Sequence, residues 1–317
     1  SDATANSAVS PLTPALSLGE REKRPPPAGE TESDGFSRTV DQMFPLPEGE
    51  GQGEGERDVR LLQVAIDSAI ARSYLHRLLA QAYEDPTPEG WRWLTGADTL
   101  ATLRAAVATL MTPGLETAAH QLAQALTPDA FESYSDTHRV CFGHAARGSC
   151  PLNEIEYGDI KADGLFQPHR LADLAAFYRA FGLDVADDAT ERQDHICLEL
   201  EFMTVLAAKE AYALEHQLDA SELALCRDAQ KKFLREHLGR WTPGFARRLA
   251  RMADGTPLAA LADFTRVFIE SECARFHVPA GSEDLLLRPV DEAAESLCAS
   301  CTLAQLPPGA AAPGNVL

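Results

Sequence analysis

Several features that would indicate common classes of protein are missing from this 317-residue sequence. No run of apolar residues reaches the roughly 18–20 residues that a membrane-spanning helix requires. The phosphate-binding patterns GxxxxGK[ST] and GxGxxG do not occur, and neither do the catalytic patterns HExxH and GxSxG. The first residues do not form the charged, apolar and small-residue regions of a secretory signal, so we expect the mature protein in the cytoplasm.

Positive charge is scarce. The chain has 28 lysines and arginines against 48 aspartates and glutamates, which gives a formal net charge of −20. An acidic surface repels nucleic acids and anionic lipids, and it attracts basic partners over about 8–10 Å at physiological salt. We therefore expect no nucleic-acid partner and no stable insertion into a membrane.

Cysteine is also infrequent. Seven cysteines are an odd number for a disulfide framework, and a cytoplasmic chain keeps its thiols reduced. Cys197 and Cys226 lie within apolar helical patterns, so we predict that both are core residues.

Histidines and cysteines form two short clusters that leave a metal site open as an alternative. The candidate ligands are His138, Cys141, His144, Cys150, Cys298 and Cys301. Thiolate and imidazole are zinc ligands, and the CxxC spacing lets two thiolates meet one ion. A single CxxC is a weak signal, and residues one helical turn apart often arise by chance. A helical metal-binding protein is therefore the alternative function.

The periodicity of the chain predicts helices almost throughout. An apolar residue recurs every four positions from Leu62 to Ala82, which is typical of a helix with one buried face. Thr-Pro pairs stand at residues 87–88, 112–113, 127–128, 242–243 and 256–257. A threonine N-cap followed by proline at the first helical position favours a helix start and contributes about 0.5–2 kcal/mol. No internal repeat and no convincing alternating strand pattern occur. The prediction is an all-α chain, a single bundle of about ten helices.

The composition divides the chain into three parts. Residues 1–57 are rich in Pro, Gly, Glu and Ser and lack aliphatic periodicity, so they are predicted to be a disordered low-complexity arm. Residues 58–278 are predicted to be the helical domain, and residues 279–317 a C-terminal tail with the CxxC pair. The predicted helices cover residues 59–84, 88–94, 97–110, 114–125, 128–142, 169–181, 192–217, 220–238, 243–253 and 257–276.

The stretch 150–203 carries most of the side chains that suit a binding site. It contains an acidic, proline-led loop (CPLNEIEYG), a compact helix (LADLAAFYRAFGL) and a second loop in which Asp194 and His195 open a long apolar helix. These loops carry carboxylates, an imidazole and aromatic rings, but no nucleophile paired with a base and no phosphate cradle. The combination favours binding of a polypeptide over catalysis.

With these segments, the sequence resembles the TorD/DmsD/NarJ-type family of redox-enzyme maturation chaperones. The matching parts are CPLNEIEYG, LADLAAFYRAFGL and ERQDHICLELEFMTVLAAKEAYA, within a similarity that spans about residues 59–275. The family pattern is an Asp-His pair that opens a helix with an acidic-aromatic segment. Here these positions are Asp194, His195, Glu199, Glu201 and Phe202. The first loop departs from the family's usual Pro-aromatic-Glu-Ser order, and the resemblance is nearest to the nitrate-reductase-like (type II dimethylsulfoxide reductase) branch, which includes selenate and chlorate enzymes.

The resemblance implies a cytoplasmic, TorD-like helical chaperone and not an enzyme. Such a chaperone would bind the molybdopterin-containing catalytic subunit of an oxidoreductase, through its twin-arginine signal peptide or its body. It would support cofactor insertion and assembly before export. No catalytic residue and no cofactor of its own are expected. The predicted partner-binding residues are Pro151, Glu154, Glu156, Tyr157, Tyr178, Asp194, His195, Glu199 and Phe202.

Physical chemistry supports a partner-binding role for these residues, but several of them also suit a purely structural role. A leader with a cationic start and an apolar stretch suits carboxylates beside an apolar groove, because arginine pairs with carboxylates in a fixed geometry. As alternatives, Asp194 suits a helix N-cap, and Glu199 suits a solvated helix face. Tyr178 and Phe202 suit the core, and His195 suits a local hydrogen-bonding role.

Overall fold

The computed structural model describes residues 16–18, 51–143, 148–158, 166–186, 189 and 191–288, and this part of the chain forms ten α-helices. The helices are α1 (Gly51–Tyr83), α2 (Pro88–Leu94), α3 (Ala97–Leu110), α4 (Leu115–Ala125), α5 (Phe131–Phe142), α6 (Phe166–Ala180), α7 (Ile196–Glu215), α8 (Ala220–Glu236), α9 (Leu238–Met252) and α10 (Pro257–Arg275). Two short strands, β1 (Leu16–Leu18) and β2 (Leu183–Val185), pair antiparallel, with Leu16 opposite Val185. The predicted all-α fold is confirmed.

Each predicted helix overlaps an observed one, but several start at a different residue. Helix α1 begins at Gly51 rather than at residue 59, within the segment predicted to be a disordered arm. Helix α5 begins at Phe131, because residues 128–130 form a 3₁₀ turn. Helix α7 begins at Ile196 rather than at residue 192, because the residues before it belong to a loop. Apart from residues 16–18 and 51–57, the predicted arm lies outside the described residues.

The threonine-proline pairs begin helices in two places. Pro88 and Pro257 are the first residues of α2 and α10. The hydroxyl of Thr87 accepts a hydrogen bond from the Gly90 amide at 3.0 Å, as an N-cap does.

The pair at residues 242–243 lies inside α9, so the predicted helix start there is wrong. Pro243 has no amide N–H and cannot donate to the carbonyl of Gly239, four residues earlier. This carbonyl accepts a hydrogen bond from the Gly281 amide instead, at 2.9 Å. The proline therefore leaves a helix carbonyl available to the segment that follows α10.

The core forms where α1 and α7 run antiparallel. The Cys197 thiol donates to the Ala80 carbonyl at 3.4 Å, and the Ser73 hydroxyl donates to the Thr204 carbonyl at 3.0 Å. Around this pair, α8, α9 and α10 contribute large side chains. The fully buried aromatic residues of helices α7 to α10 are Trp241, Phe202, Phe233, Phe245, Phe264 and Phe268. Each contributes about 1.5–3 kcal/mol through burial of apolar surface.

The cysteines of the described part are buried and free. Cys197 and Cys226 lie in the core, as predicted. Burial raises the pKa of the Cys150 and Cys273 thiols to about 12. These thiols therefore stay protonated and have little nucleophilic character at neutral pH.

None of the described helices is long and apolar enough to cross a membrane.

Candidate partner-binding site

The structure joins the two loops that the sequence analysis assigns to one site. The first loop comprises residues 148–158 and the second loop residues 191–195. The Glu154 amide donates to the Asp194 carbonyl and the Ile196 amide donates to the Leu152 carbonyl, both at 2.9 Å. Asn153 and His195 form an antiparallel bridge between them. The two loops are therefore paired through their backbones at the N-terminus of α7.

Asp194 is the residue that fastens the second loop to the first. Its buried carboxylate accepts from the Ile155 amide at 3.1 Å and from the Asn153 side chain at 3.2 Å. The Arg192 guanidinium makes a two-point contact with it at 2.9 and 3.0 Å. The N-cap alternative is corrected, because His195 caps α7. Internal donors occupy the Asp194 carboxylate, and its pairing with a partner's arginine stays a prediction.

Glu154 is also taken up by internal partners. Its fully buried carboxylate accepts from Arg170 at 2.6 Å and from Arg240 at 3.0 Å, and it lies 2.9 Å from His237 Nδ1. The other ring nitrogen of His237 lies 3.2 Å from Asp173. Burial acts to raise the pKa of Glu154, but the hydrogen bond and charge of His237 and the two arginines outweigh it, so the pKa is lowered. Internal partners therefore occupy this carboxylate as they do that of Asp194, and its contact with a client stays a prediction.

Glu199 is buried on α7, so neither a solvated helix face nor an exposed contact residue describes it. Its Oε2 atom lies 3.1 Å from Trp241 Nε1, and Oε1 has no hydrogen-bond partner among the described residues. Burial, reinforced by the charge of Glu154, raises the pKa of Glu199 well above its usual range. The side chain therefore carries its proton at neutral pH. Glu201, two positions further along α7, is buried as well.

The predicted aromatic contacts belong to the core under the loops. The Tyr157 hydroxyl donates to the Pro151 carbonyl at 2.9 Å, and the Tyr178 hydroxyl donates to the Gln193 carbonyl at 2.8 Å. The ring of Phe202 lies 5.1 Å from that of Tyr178. The four predicted residues Pro151, Tyr157, Tyr178 and Phe202 are buried, which confirms the core alternative for Tyr178 and Phe202. Direct contact of this set with a partner stays a prediction.

Two predicted residues remain at the edge of the solvent. His195 caps α7, because its Nδ1 atom accepts from the Cys197 amide at 3.3 Å. Burial lowers the pKa of His195 to about 4, against the charges of Glu191 and Asp194, so the ring is neutral at physiological pH. Glu156 lies 3.8 Å from Arg192 and keeps a small exposed fraction. These two side chains can contact a partner without leaving their positions.

Sequence reasoning missed the cations that hold the first loop. Arg170 comes from α6, and His237 and Arg240 come from the junction of α8 and α9. They lie 16, 83 and 86 positions from Glu154 in the chain, so no local spacing could reveal the contacts. The one available signal was the excess of acidic residues in the loop, which requires cationic neighbours once the loop is buried.

A second buried ionic cluster lies away from the loops. The Arg72 guanidinium bonds to Glu272 at 2.8 Å and to Glu210 at 2.9 Å, and it also donates to Gln230. Burial opposes ionisation of both glutamates, but the charge of Arg72 outweighs it and lowers their pKa values. The cluster joins α1, α7, α8 and α10. The available signal in the sequence was Arg72, a charged residue beside the apolar stripe of α1.

The metal-site alternative finds no support in the described part of the chain. No group of three histidine, cysteine or acidic side chains suited to a metal ion occurs there. His138, Cys141 and Cys150 are buried among core side chains, and the Cys150 sulfur lies 3.6 Å from the Tyr157 hydroxyl. His144, Cys298 and Cys301 lie outside the described residues, so the alternative stays a prediction for those positions.

Comparison with known proteins adds to this geometry. The family model described as "Nitrate reductase delta subunit" matches residues 109–247, which run from the end of α3 into α9 and include both loops. The chain is 28% identical over 209 residues to the perchlorate reductase assembly chaperone protein of Dechloromonas aromatica, and the match covers 65% of this chain and 90% of that protein. Over these residues the chain is similar to NarJ/TorD-type proteins.

Two further relatives match over shorter stretches. The selenate reductase assembly chaperone protein of Thauera selenatis is 36% identical over 91 residues, which cover 29% of this chain and 43% of that protein. A chaperone protein TorD of Vibrio cholerae is 29% identical over 119 residues, which cover 37% of this chain and 52% of that protein. The resemblance drawn from the loop and helix segments is confirmed. These NarJ/TorD-type relatives are named as chaperones and not as enzymes.

Proposed function

We propose that this chain is a cytoplasmic chaperone that binds the catalytic subunit of a molybdenum-cofactor reductase and holds it while the cofactor is inserted. The observation that carries the proposal is the similarity to a perchlorate reductase assembly chaperone over 90% of that relative. A selenate reductase assembly chaperone among the relatives supports the same class of client.

The loop geometry supports binding rather than chemistry at this site. Glu154 and Asp194 are occupied by internal donors, Glu199 is protonated and buried, and His195 is neutral and caps a helix. These side chains fix the backbone of both loops, so a client meets a preformed surface and little further ordering opposes association. We therefore propose that these side chains position the two loops for binding of the client, and that His195 and Glu156, at the edge of the solvent, contact it.

A finer proposal is that the client's twin-arginine leader contributes to recognition. The net charge of −20 attracts a cationic segment at long range. Near the loops, exposed acidic residues such as Glu191 can provide this attraction without disturbing the buried carboxylates. Such peripheral charges mainly raise the association rate, whereas apolar burial of about 25 cal/mol per Å² provides the affinity.

A test in cells compares a strain that lacks this chain with one that has it restored. A molybdenum reductase of the same organism is purified from both strains, and the molybdenum content of its catalytic subunit is measured. We expect the deletion to lower the molybdenum content severalfold and the restored chain to recover it. Equal loading in both strains would refute the assembly role.

Removal of the leader from the catalytic subunit separates the two binding modes. If the leader carries recognition, its deletion abolishes co-purification with this chain. If the folded body of the subunit carries recognition, co-purification persists and the leader proposal is wrong while the assembly role stands.

A further inference from the structure

The segment that follows α10 lies along the first loop in an extended conformation. The Arg288 amide donates to the Glu156 carbonyl at 2.8 Å, and the Gly158 amide donates to the Leu286 carbonyl at 3.1 Å. Tyr157 and Leu287 form an antiparallel bridge between these two bonds. Residues 283–288, here called the C-terminal segment, therefore add a short strand to the edge of the candidate site.

The segment is anchored at one end by a close backbone crossing. The Gly281 amide donates to the carbonyl of Gly239, which Pro243 leaves without a helical donor. A Cβ atom at Gly281 would lie 1.8 Å from the Arg240 carbonyl oxygen, so only glycine fits this crossing. The chain is fixed at residue 281, and the residues beyond it lie over the surface of α9.

Beyond the anchor, three side chains of the segment contact α9. Leu285 fits against Gly244, where an added Cβ would lie 2.8 Å from the leucine Cβ. Glu283 and Asp284 contact Arg247 at 3.2 and 3.1 Å. The side chain of Asp284 is 80% exposed, and Leu286 is 67% exposed. Segments held by few buried contacts and exposed hydrogen bonds open at low free energy.

We propose that the groove between the first loop and α9 is a peptide-binding groove, and that residues 283–288 occupy it until an extended segment of the client replaces them. This inference rests on the proposed chaperone function and identifies where the client is bound. Pairing with backbone groups accepts many sequences, whereas the slot at Gly244 selects a large apolar side chain. The groove therefore takes an extended segment with a leucine-like residue at that slot, preceded by an acidic residue that reaches Arg247.

Occupation by the chain's own segment weakens the apparent affinity for the client. Only molecules with the groove open can bind, so the apparent dissociation constant exceeds the intrinsic one by the inverse of the open fraction. A variant that loses one of the two backbone bonds should open the groove more often. Its apparent affinity should rise while the groove itself stays unchanged.

The first test uses the full-length chain with Arg288→Pro, which removes the amide that donates to Glu156. Arg288→Ala is the matched control, because it removes the same side chain and keeps the amide. The probe is a synthetic peptide with the sequence of residues 282–289, SEDLLLRP. We expect it to bind the proline variant about threefold to tenfold more tightly than the alanine variant or the wild type. Equal binding to all three proteins would overturn the proposal, and Leu285→Asp provides a second opened variant with the amide intact.

The second test uses hydrogen exchange of the wild-type chain with and without the client's catalytic subunit. We expect the Arg288 amide, which donates to the Glu156 carbonyl, to exchange faster in the complex, while the amides of α1 and α7 do not. A complex in which the Arg288 amide stays protected would contradict the groove but not the chaperone function. Binding of the synthetic peptide without binding of any reductase subunit would leave the groove in place and refute the proposed function.

Discussion

At the scale of single residues, the site contains two buried glutamates with opposite protonation states. Glu154 is ionised, because His237, Arg170 and Arg240 outweigh its burial. Glu199 is protonated, because burial and the charges of Glu154 and Asp194 raise its pKa and outweigh the opposing effects of Trp241 and Arg240. The ionised carboxylate of Glu154 holds the first loop through Arg170 and Arg240. The neutral carboxyl group of Glu199 accepts a hydrogen bond from Trp241.

Glutamine replacement should therefore affect the two positions differently. Glu154→Gln leaves Arg170 and Arg240 beside a neutral amide, and we expect a loss of about 3 kcal/mol in the free energy of unfolding at pH 7. Because the pKa of Glu154 is lowered on folding, this loss should shrink as the pH falls below about 4.5 towards the folded-state value. Urea unfolding at several pH values measures it.

Glu199→Gln is the matched control, because glutamine resembles the protonated acid. The pKa of Glu199 is raised on folding, so the wild type loses stability as the pH rises above about 4.5. We expect the variant to equal the wild type at pH 4–5 and to match or exceed it at pH 8. A destabilisation of Glu199→Gln at pH 8 as large as that of Glu154→Gln would show that both carboxylates are ionised.

The sequence located these residues but not their surroundings. Asp194, His195 and Glu154 could be chosen because acidic, loop-borne side chains before a helix favour a site. The exposure expected for Glu154 was wrong, because its burial depends on Arg170, His237 and Arg240, which only the tertiary fold brings close. Core aromatic residues at helical spacing were easier to predict, since periodicity reports burial directly.

At the scale of elements, α9 illustrates how one proline changes the meaning of a local signal. Thr-Pro indicates a helix start at residues 87–88 and 256–257, yet at 242–243 it lies within a helix. The helix tolerates Pro243 because the unpaired Gly239 carbonyl finds a donor in Gly281. No pattern confined to α9 could predict a donor 42 residues away.

Restoring the missing amide should loosen the C-terminal segment. In Pro243→Ala, the new N–H can bond to the Gly239 carbonyl and compete with Gly281. We expect the Gly281 amide to exchange hydrogen about tenfold faster, because about 1.4 kcal/mol corresponds to a factor of ten. Pro257→Ala at the first position of α10 is the control, since an amide there has no helical acceptor. Equal exchange rates at Gly281 in both variants would contradict this role for Pro243.

At the scale of the whole molecule, the helical architecture could be predicted from the periodicity of apolar residues, whereas the buried ionic cluster around Arg72 could not. The repeat of apolar residues from Leu62 to Ala82 and the composition of the chain predict a helical bundle. The cluster of Arg72, Glu210, Gln230 and Glu272 was not foreseen, because each residue by itself suits a solvated helix face. It joins four helices, so it fixes how they are assembled as well as contributing to stability.

The partners of the Arg72 cluster differ in burial, which allows a matched comparison. Arg72→Met leaves Glu210 and Glu272 without their buried cation, and we expect the free energy of unfolding to fall by about 3–5 kcal/mol. Arg227 also contacts Glu210, at 2.7 Å, but its side chain is 44% exposed. Arg227→Met should cost less than about 1 kcal/mol. Equal losses in the two variants, measured by chemical unfolding, would contradict a special role for the buried pairings.

The central claim is that the molecule binds an incomplete reductase subunit and releases the finished one. Its most direct test is calorimetric titration of the full-length chain with the catalytic subunit of its reductase client, prepared without and with the molybdenum cofactor. The account predicts saturable binding of the cofactor-free subunit and binding at least tenfold weaker, about 1.4 kcal/mol, once the cofactor is inserted. Absence of binding to the cofactor-free subunit, or equal affinity for both forms, would contradict it.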